Sequence, residues 1–300
     1  GAVSRDMNPK ILVGLALGMA ASVIWGGHAV VARLALAGQG FHLLDLAACR
    51  FIPGALLLGH LAWGARVRLR EVGLAKLLVL TAVGGLGNFM VFVGAMIWAP
   101  ASHGGTVAPM TAPVAGALAG WLLLAEKPTS GRLAALGVML AGVLCIGWDG
   151  LASDSPGVWK GDVLLLMAGA SWGFFGALLR RWQVPAFPAA GAIAVVSAVL
   201  VTPLWLAGPA VEFVALPWAS QLWMIFAQGV MLGVLAMLLF TRSVELLGPT
   251  RASTLSVVVP ITALLLAAIV LGEALTAMKL LGAGLALAGM LGAVTLTGRR

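Results

Sequence analysis

PVAGALAGWLLLAE (Pro113–Glu126) and PITALLLAAIVLGE (Pro260–Glu273) each open on proline and close on glutamate, and they lie 147 residues apart. The chain has only five glutamates, so the match is not cheap. The same offset pairs Trp25 with Trp172, Gly26 with Gly173, Arg33 with Arg180, Thr129 with Thr276, Gly137 with Gly284 and Gly142 with Gly289. Leu and Ala matches mean little in this composition, but ungapped matches of Trp, Arg, Pro and Glu mean a tandem duplication. What the unit is made of decides the fold.

It is made of membrane helices. Hydrophobic residues are 61% of the chain and charged residues 9%, with a mean hydropathy of +1.07, against roughly 25% charge in a soluble domain. Apolar stretches close to the ~20 residues that cross a bilayer recur throughout. They read as ten spans at about 10–35, 43–63, 74–98, 102–124, 131–148, 160–181, 189–207, 218–241, 249–271 and 277–297. Each is expected to be helical, because backbone polar groups in lipid need partners within their own segment and no period-2 barrel pattern is present. The expected fold is all-α: a polytopic membrane protein of ten transmembrane helices.

The net charge of +8 belongs to the loops. With a cytoplasmic N-terminus, the inner segments hold Arg5, Lys10, Arg66, Arg68, Arg70, Lys76, Lys127, Arg132, Arg180, Arg181, Arg242, Arg251, Arg299 and Arg300. The outer ends hold Arg33, Arg50, Lys160 and Lys279, so the split is fourteen to four. That is the positive-inside bias. It argues for a multi-pass protein of the cell inner membrane with both termini cytoplasmic, and against nucleic acid as a partner. Cys49 and Cys145 both fall within spans and imply no disulfide framework. Residues Gly1–Asp6 precede Met7 and read as an expression scar, and the first apolar stretch reads as a span and not as a cleavable signal.

Five helices per unit is an odd number, so the second unit enters the membrane inverted, a recurrent plan of secondary transporters. The expected organisation is a tail at 1–9, a first repeat at 10–148, an outer linker at 149–159, a second repeat at 160–297 and a cytoplasmic tail at 298–300. The boundary Asp149–Asp162 carries Gly150, Ser153, Asp154, Ser155, Pro156 and Gly157, which is turn chemistry with an acidic character. Spans 3 and 4 meet at Ala99–Ala101 and spans 8 and 9 at Leu247–Pro249, giving two hairpins at equivalent places.

These residues resemble a known family. The features that carry the resemblance are Trp25–Gly26, Arg50–Phe51, Pro113 to Glu126 and the Gly137–Gly142 helix; all but Arg50–Phe51 recur in the second half, as Trp172–Gly173, Pro260 to Glu273 and Gly282, Gly284 and Gly289. Across residues 10–297 the chain is similar to the ten-helix, EamA-type branch of the drug/metabolite transporter superfamily, most of all to its amino-acid and aromatic-metabolite exporters. The resemblance implies transport by alternating access, no cofactor, and small neutral amphipathic solutes as cargo. The second-half position equivalent to Arg50 is Ser197, so the resemblance implies no symmetric role for that arginine.

Most tryptophans lie near span ends and read as the interfacial belt. Trp25 and Trp172 fall inside spans 1 and 6, each followed by glycine, and read either as tight helix packing or as an aromatic pair lining a central cavity. His28 and Phe175 follow them by three residues, on the same helix faces. Span 4 carries the stripe His103, Thr106, Met110 and Pro113, and span 9 offers Thr250, Ser253, Thr254 and Ser256. These and the amides Asn88 and Gln228 read either as substrate contacts or as interhelical hydrogen bonds. With Phe92 they complete the expected substrate-binding set of Trp25, His28, Asn88, Phe92, His103, Thr106, Met110, Trp172, Phe175, Gln228, Ser253 and Ser256, on spans 1, 3, 4, 6, 8 and 9. His103 lies close to a span end and reads also as a solvated residue. Pro113 and Pro260 break backbone bonding in their spans and read as gating hinges or as static kinks. Glu126 and Glu273 suit caps or contacts between helix ends, and spans 5 and 10 belong at the periphery.

No Asp or Glu lies near the middle of any span, which weakens carboxylate-coupled antiport. No phosphate loop, metal cluster or nucleophile elbow is present, so enzyme chemistry and a bound metal are not expected. The expectation is an exporter of hydrophobic or aromatic amino acids and related metabolites, with the 3–4 and 8–9 hairpins as gates. A multidrug or other metabolite exporter of the same superfamily is the alternative, and an intramembrane enzyme a more distant one. Partners are the solute and the membrane lipids, and a monomer is plausible.

Overall fold

The computed structural model describes residues 9–295, apart from the side chains of residues 249, 250, 253, 294 and 295. Eight helices are long and apolar enough to cross a membrane: α1 Pro9–Gly38, α2 Leu43–Gly64, α3 Leu74–Ala95, α4 Ala101–Leu124, α5 Ser130–Leu151, α6 Val158–Arg181, α7 Ala186–Leu206 and α8 Trp218–Leu247. Two shorter apolar helices follow, α9 Leu255–Leu271 and α10 Ala277–Ala293. Among the described residues there is no strand. The exterior is apolar, with Leu56, Ile269 and Leu144 each more than 70% exposed. An apolar surface of this extent suits lipid and not water. The chain is therefore an all-helical membrane protein.

The near end of the bundle is taken here as the one at which Pro9 begins α1, and the far end as the opposite one. Even-numbered and odd-numbered helices alternate in direction between them, joined by short connections such as 96–100 and the short helix Arg66–Val72.

The duplication is visible in the contacts. A Cβ on Gly173 of α6 would lie 2.5 Å from the Ala112 carbonyl oxygen of α4, and one on Gly26 of α1 would lie 2.9 Å from that of Val259 on α9. Both glycine and carbonyl are related by the 147-residue offset. Only glycine allows these backbones to meet. At the periphery α5 and α10 pack on each other, and there too the contact repeats. Gly142 faces the Gly282 carbonyl oxygen and Gly289 that of Ala135, at 2.8 and 2.9 Å from the positions their Cβ atoms would take. Thr129 caps α5 by accepting from the Arg132 N–H at 3.3 Å, and Thr276 caps α10 by accepting from the Lys279 N–H at 3.2 Å. The repeated threonines are thus helix starts.

Of the two proline interruptions expected, only the one at Pro260 coincides with an irregular turn, and other breaks lie elsewhere. α4 runs unbroken through Pro109 and Pro113. α1 breaks at Gly27 and α3 at Gly85. α8 widens into a π-type segment over Ile225–Leu235, and α9 begins with a tighter turn, Leu255–Val257, ahead of Pro260. The π segment is pressed against α2, where a Cβ on Gly229 would lie 2.6 Å from the Cys49 carbonyl oxygen and 2.8 Å from Pro53.

The expected outer linker is shorter than its turn chemistry suggests. Asp149 belongs to α5 and Asp162 to α6, and both side chains turn inward to His103.

Candidate functional site

Three groups of polar residues link the helices, and they do different things. The first is at the far end of α4. His103 is wholly buried, its Nδ1 2.7 Å from Asp162 Oδ1 and its Nε2 3.2 Å from Asp149 Oδ2. Two carboxylate partners accept from both ring nitrogens when both carry a proton. The Thr276 hydroxyl donates to Asp149, and the buried Lys279 donates from Nζ to the Ala274 carbonyl at 3.2 Å. His103 is thus not solvated: it joins α4 to α5 and α6. The sequence missed this because its partners are 46 and 59 residues away and read as loop acids. Thr106 donates to the Ser102 carbonyl at 2.7 Å, and Met110 packs its sulfur beside Gly142 of α5. Both are fully buried.

The second group is a pair of related contacts at the two helix ends. Arg180 at the near end of α6 donates from Nη1 to both oxygens of Glu126, at 2.9 and 3.0 Å. The offset predicts the same pair between Arg33 and Glu273 at the far end. It is not formed. Arg33 donates to the carbonyls of Met96 and Ile97 at 2.6 and 2.9 Å. Glu273 accepts from the N–H groups of Ala101 and Ser102, at 2.6 and 3.0 Å, and from the Ser102 hydroxyl at 2.6 Å, so it caps α4. The equivalent cap is closed to Glu126: the residues matching Ala101 and Ser102 are Gly248, whose N–H donates to the Val244 carbonyl at 2.8 Å, and Pro249, which has no N–H. Arg33 and Glu273 line one far-end cleft of about 360 Å³ with Trp98, Pro100, Ser153 and Leu271 among its walls.

The third group lies in the far half of the bundle, between α1, α2, α3 and α8. His28 stacks on Phe92 at 4.8 Å and on Phe89 at 5.8 Å between ring centres. Phe51 meets Phe89 edge-on at 5.4 Å, and the Arg50 guanidinium stands 5.9 Å from the same ring. An Arg50 N–H points at the Gln228 backbone carbonyl over 3.5 Å, a long contact. Gln228 is wholly buried in the π-type segment, and neither end of its side-chain amide has a partner; nor has Nε2 of His28. Buried polar atoms are normally satisfied, so three orphans in one place need a reason.

The remaining expected residues lie outside this group. Trp25 of α1 packs on Phe240 of α8 at 5.3 Å. Trp172 and Phe175 contact each other on α6 at 5.2 Å; Phe175 lies against Gly84 of α3, while Trp172 is 52% exposed. Asn88 donates to the Ala168 carbonyl and the Ser171 hydroxyl, both at 2.7 Å, and so fastens α3 to α6. Ser256 lies in the tight turn that opens α9. The side chains of Thr250 and Ser253 lie outside the described residues. His28, Phe92 and Gln228 are brought together; Thr106, Met110 and Asn88 are committed to packing or to helix contacts. Arg50 was not among the expected site residues.

Among curated proteins none matches the sequence. A solved crystal structure of a protein resembles the chain with a TM-score of 0.62 at 21% identity, over 94% of this chain and 98% of the other. At that identity it speaks to the fold alone. The model of the EamA-like transporter family matches twice, at residues 12–148 and 159–295. Two tandem matches over nearly the whole length agree with the repeated glycine contacts and the ten apolar helices: the chain belongs to the EamA-like transporter family, within the drug/metabolite transporter superfamily.

Proposed function

We propose that this family member is a secondary transporter of the cell inner membrane that exports small neutral amphipathic solutes by alternating access, hydrophobic and aromatic amino acids first among them. The observation that carries the mechanism is the broken symmetry of the two end contacts. Arg180–Glu126 ties α4 to α6 at the near end, whereas the equivalent Arg33 and Glu273 at the far end each hold another partner. Two inverted repeats in one conformation and unequal states are what a carrier open to one side requires. In the opposite state the near pair parts and Arg33 meets Glu273. The cargo class follows from the rings of Phe89 and Phe92 beside the unpaired Nε2 of His28 and the unpaired Gln228 amide, a combination that suits an apolar body with a polar end.

The near end is taken as cytoplasmic, on the fourteen-to-four distribution of Lys and Arg. A cysteine placed at Lys127, in a chain with Cys49 and Cys145 replaced, should react with an impermeant maleimide from the cytoplasmic side alone. Reaction from outside the cell would reverse the orientation.

Purified protein in liposomes should take up labelled phenylalanine and leucine faster than empty vesicles, and faster still when the same solute is preloaded. The rate with and without a proton gradient tests coupling. No midplane carboxylate is available, so transport runs down the solute gradient or through histidine. Strict proton-dependent accumulation that survives replacement of His28, His60 and His103 by Gln removes the histidine route. No uptake of any amino acid sinks the proposed cargo.

A further inference from the structure

We infer that Arg50 anchors a carboxylate of the cargo, in a site completed by Gln228 and His28. This rests on the transporter reading above and adds the chemical group that is recognised.

Arg50 is the seventh residue after Leu43, the start of α2, and so lies roughly 10 Å along the helix from its far end. A guanidinium at that depth is costly unless it is paired. Among the described residues no carboxylate pairs with it. Asp45, nearby in sequence, is taken by the His42 N–H and the Trp205 indole, each at 2.7 Å. Arg50 is left with the Phe89 ring and one long contact to a carbonyl. An arginine held so loosely keeps most of its donor fork available, and the group that fits two parallel N–H donors is a carboxylate.

The neighbours supply the rest of a recognition site. The Gln228 amide offers a buried donor for the same carboxylate and a buried acceptor for an ammonium, both unused. His28 Nε2 is a third unused atom, and its ring lies flat on Phe92, the surface an apolar side chain would share. Gln228 sits on a π-type segment, an irregularity that recurs at functional sites. Finally, the duplication isolates this group. The positions equivalent to Arg50 and His28 are Ser197 and Phe175, so neither residue serves packing common to both repeats. A single charged end in an otherwise aromatic lining matches a solute with a single carboxylate.

The test uses the full chain in nanodiscs, with thermal stabilisation and competition binding as readouts, and four probes that share a phenylethyl body. Phenylalanine and 3-phenylpropionate carry the carboxylate; phenylalaninamide and phenethylamine do not. The first two should bind and the last two should not. Arg50→Gln should weaken carboxylate binding roughly 10- to 100-fold, the scale of hydrogen bonds to a charged group. Arg50→Lys should fall between, since it keeps the charge and loses the fork. Gln228→Leu guards against variants that fold poorly. It removes an amide that makes no bond, so it should leave the empty protein as stable or more stable while still weakening phenylalanine binding several-fold. Equal binding of phenylalanine and its amide, or unchanged affinity in Arg50→Gln, would overturn the carboxylate anchor and leave the exporter intact if counterflow persists. Binding of tetraphenylphosphonium with none of the four probes would overturn the anchor and the amino-acid cargo together.

Discussion

At the scale of the residue, the duplication is both the best guide and the source of the omissions. Trp, Gly, Thr, Arg, Pro and Glu recur at one offset, and three of those recurrences have a physical account. Gly26 and Gly173 let helix backbones meet, Thr129 and Thr276 cap helices, and Glu126 and Glu273 bind neighbouring helix ends. Arg50 marks the family resemblance yet stood outside the expected site for the opposite reason: its equivalent is Ser197, and matched positions give it no counterpart. His103 was legible as a polar residue in a helix. Its two carboxylates were not, since nothing in the local pattern says that Asp149 and Asp162 face inward. For the proposed alternating access, the near-end ion pair has the magnitude a gate needs. Arg180 and Glu126 are 55% and 51% exposed, and such a pair is worth about 0.2–1 kcal/mol. That biases a two-state equilibrium by up to roughly fivefold without locking it. A buried pair would cost several kcal/mol to break and would hold the carrier in one state.

At the scale of the element, ten helices were legible from hydropathy alone, because lipid leaves the backbone few choices. Where those helices bend was not. Proline is the visible breaker in a sequence, yet α4 passes through Pro109 and Pro113 without interruption, while α1 and α3 break at Gly27 and Gly85. A π-type or glycine break depends on what the neighbouring helix presents, and so it belongs to packing. The hinge reading of Pro113 and Pro260 can be weighed against these breaks. If the prolines are hinges, Pro113→Ala and Pro260→Ala should each slow phenylalanine exchange several-fold and leave its affinity within about twofold, because bending is lost and the lining stays. Gly85→Ala should slow exchange more. A Cβ there would lie 2.3 Å from Ile193 and 2.9 Å from the Thr81 carbonyl. Normal exchange in both proline variants, with Gly85→Ala impaired, moves the hinge from the prolines to the break in α3.

At the scale of the whole molecule, two inverted halves share one set of contacts and differ at their ends. On the proposed alternating-access mechanism, near-end closure and far-end release would be two faces of a single rocking motion and would exchange. Spin labels at positions 127 and 181 report the near end. Labels at 34 and 274, their equivalents by the 147-residue offset, report the far end. Each pair replaces exposed or half-buried residues, Lys127 with Arg181 and Leu34 with Ala274. The distances would be measured by double electron–electron resonance in nanodiscs, on chains lacking Cys49 and Cys145, with and without phenylalanine. The account predicts two populations at each end. Phenylalanine should change their proportions in opposite senses, the near pair lengthening in the molecules where the far pair shortens. A single distance at both ends, unmoved by the solute, would contradict alternating access in this protein.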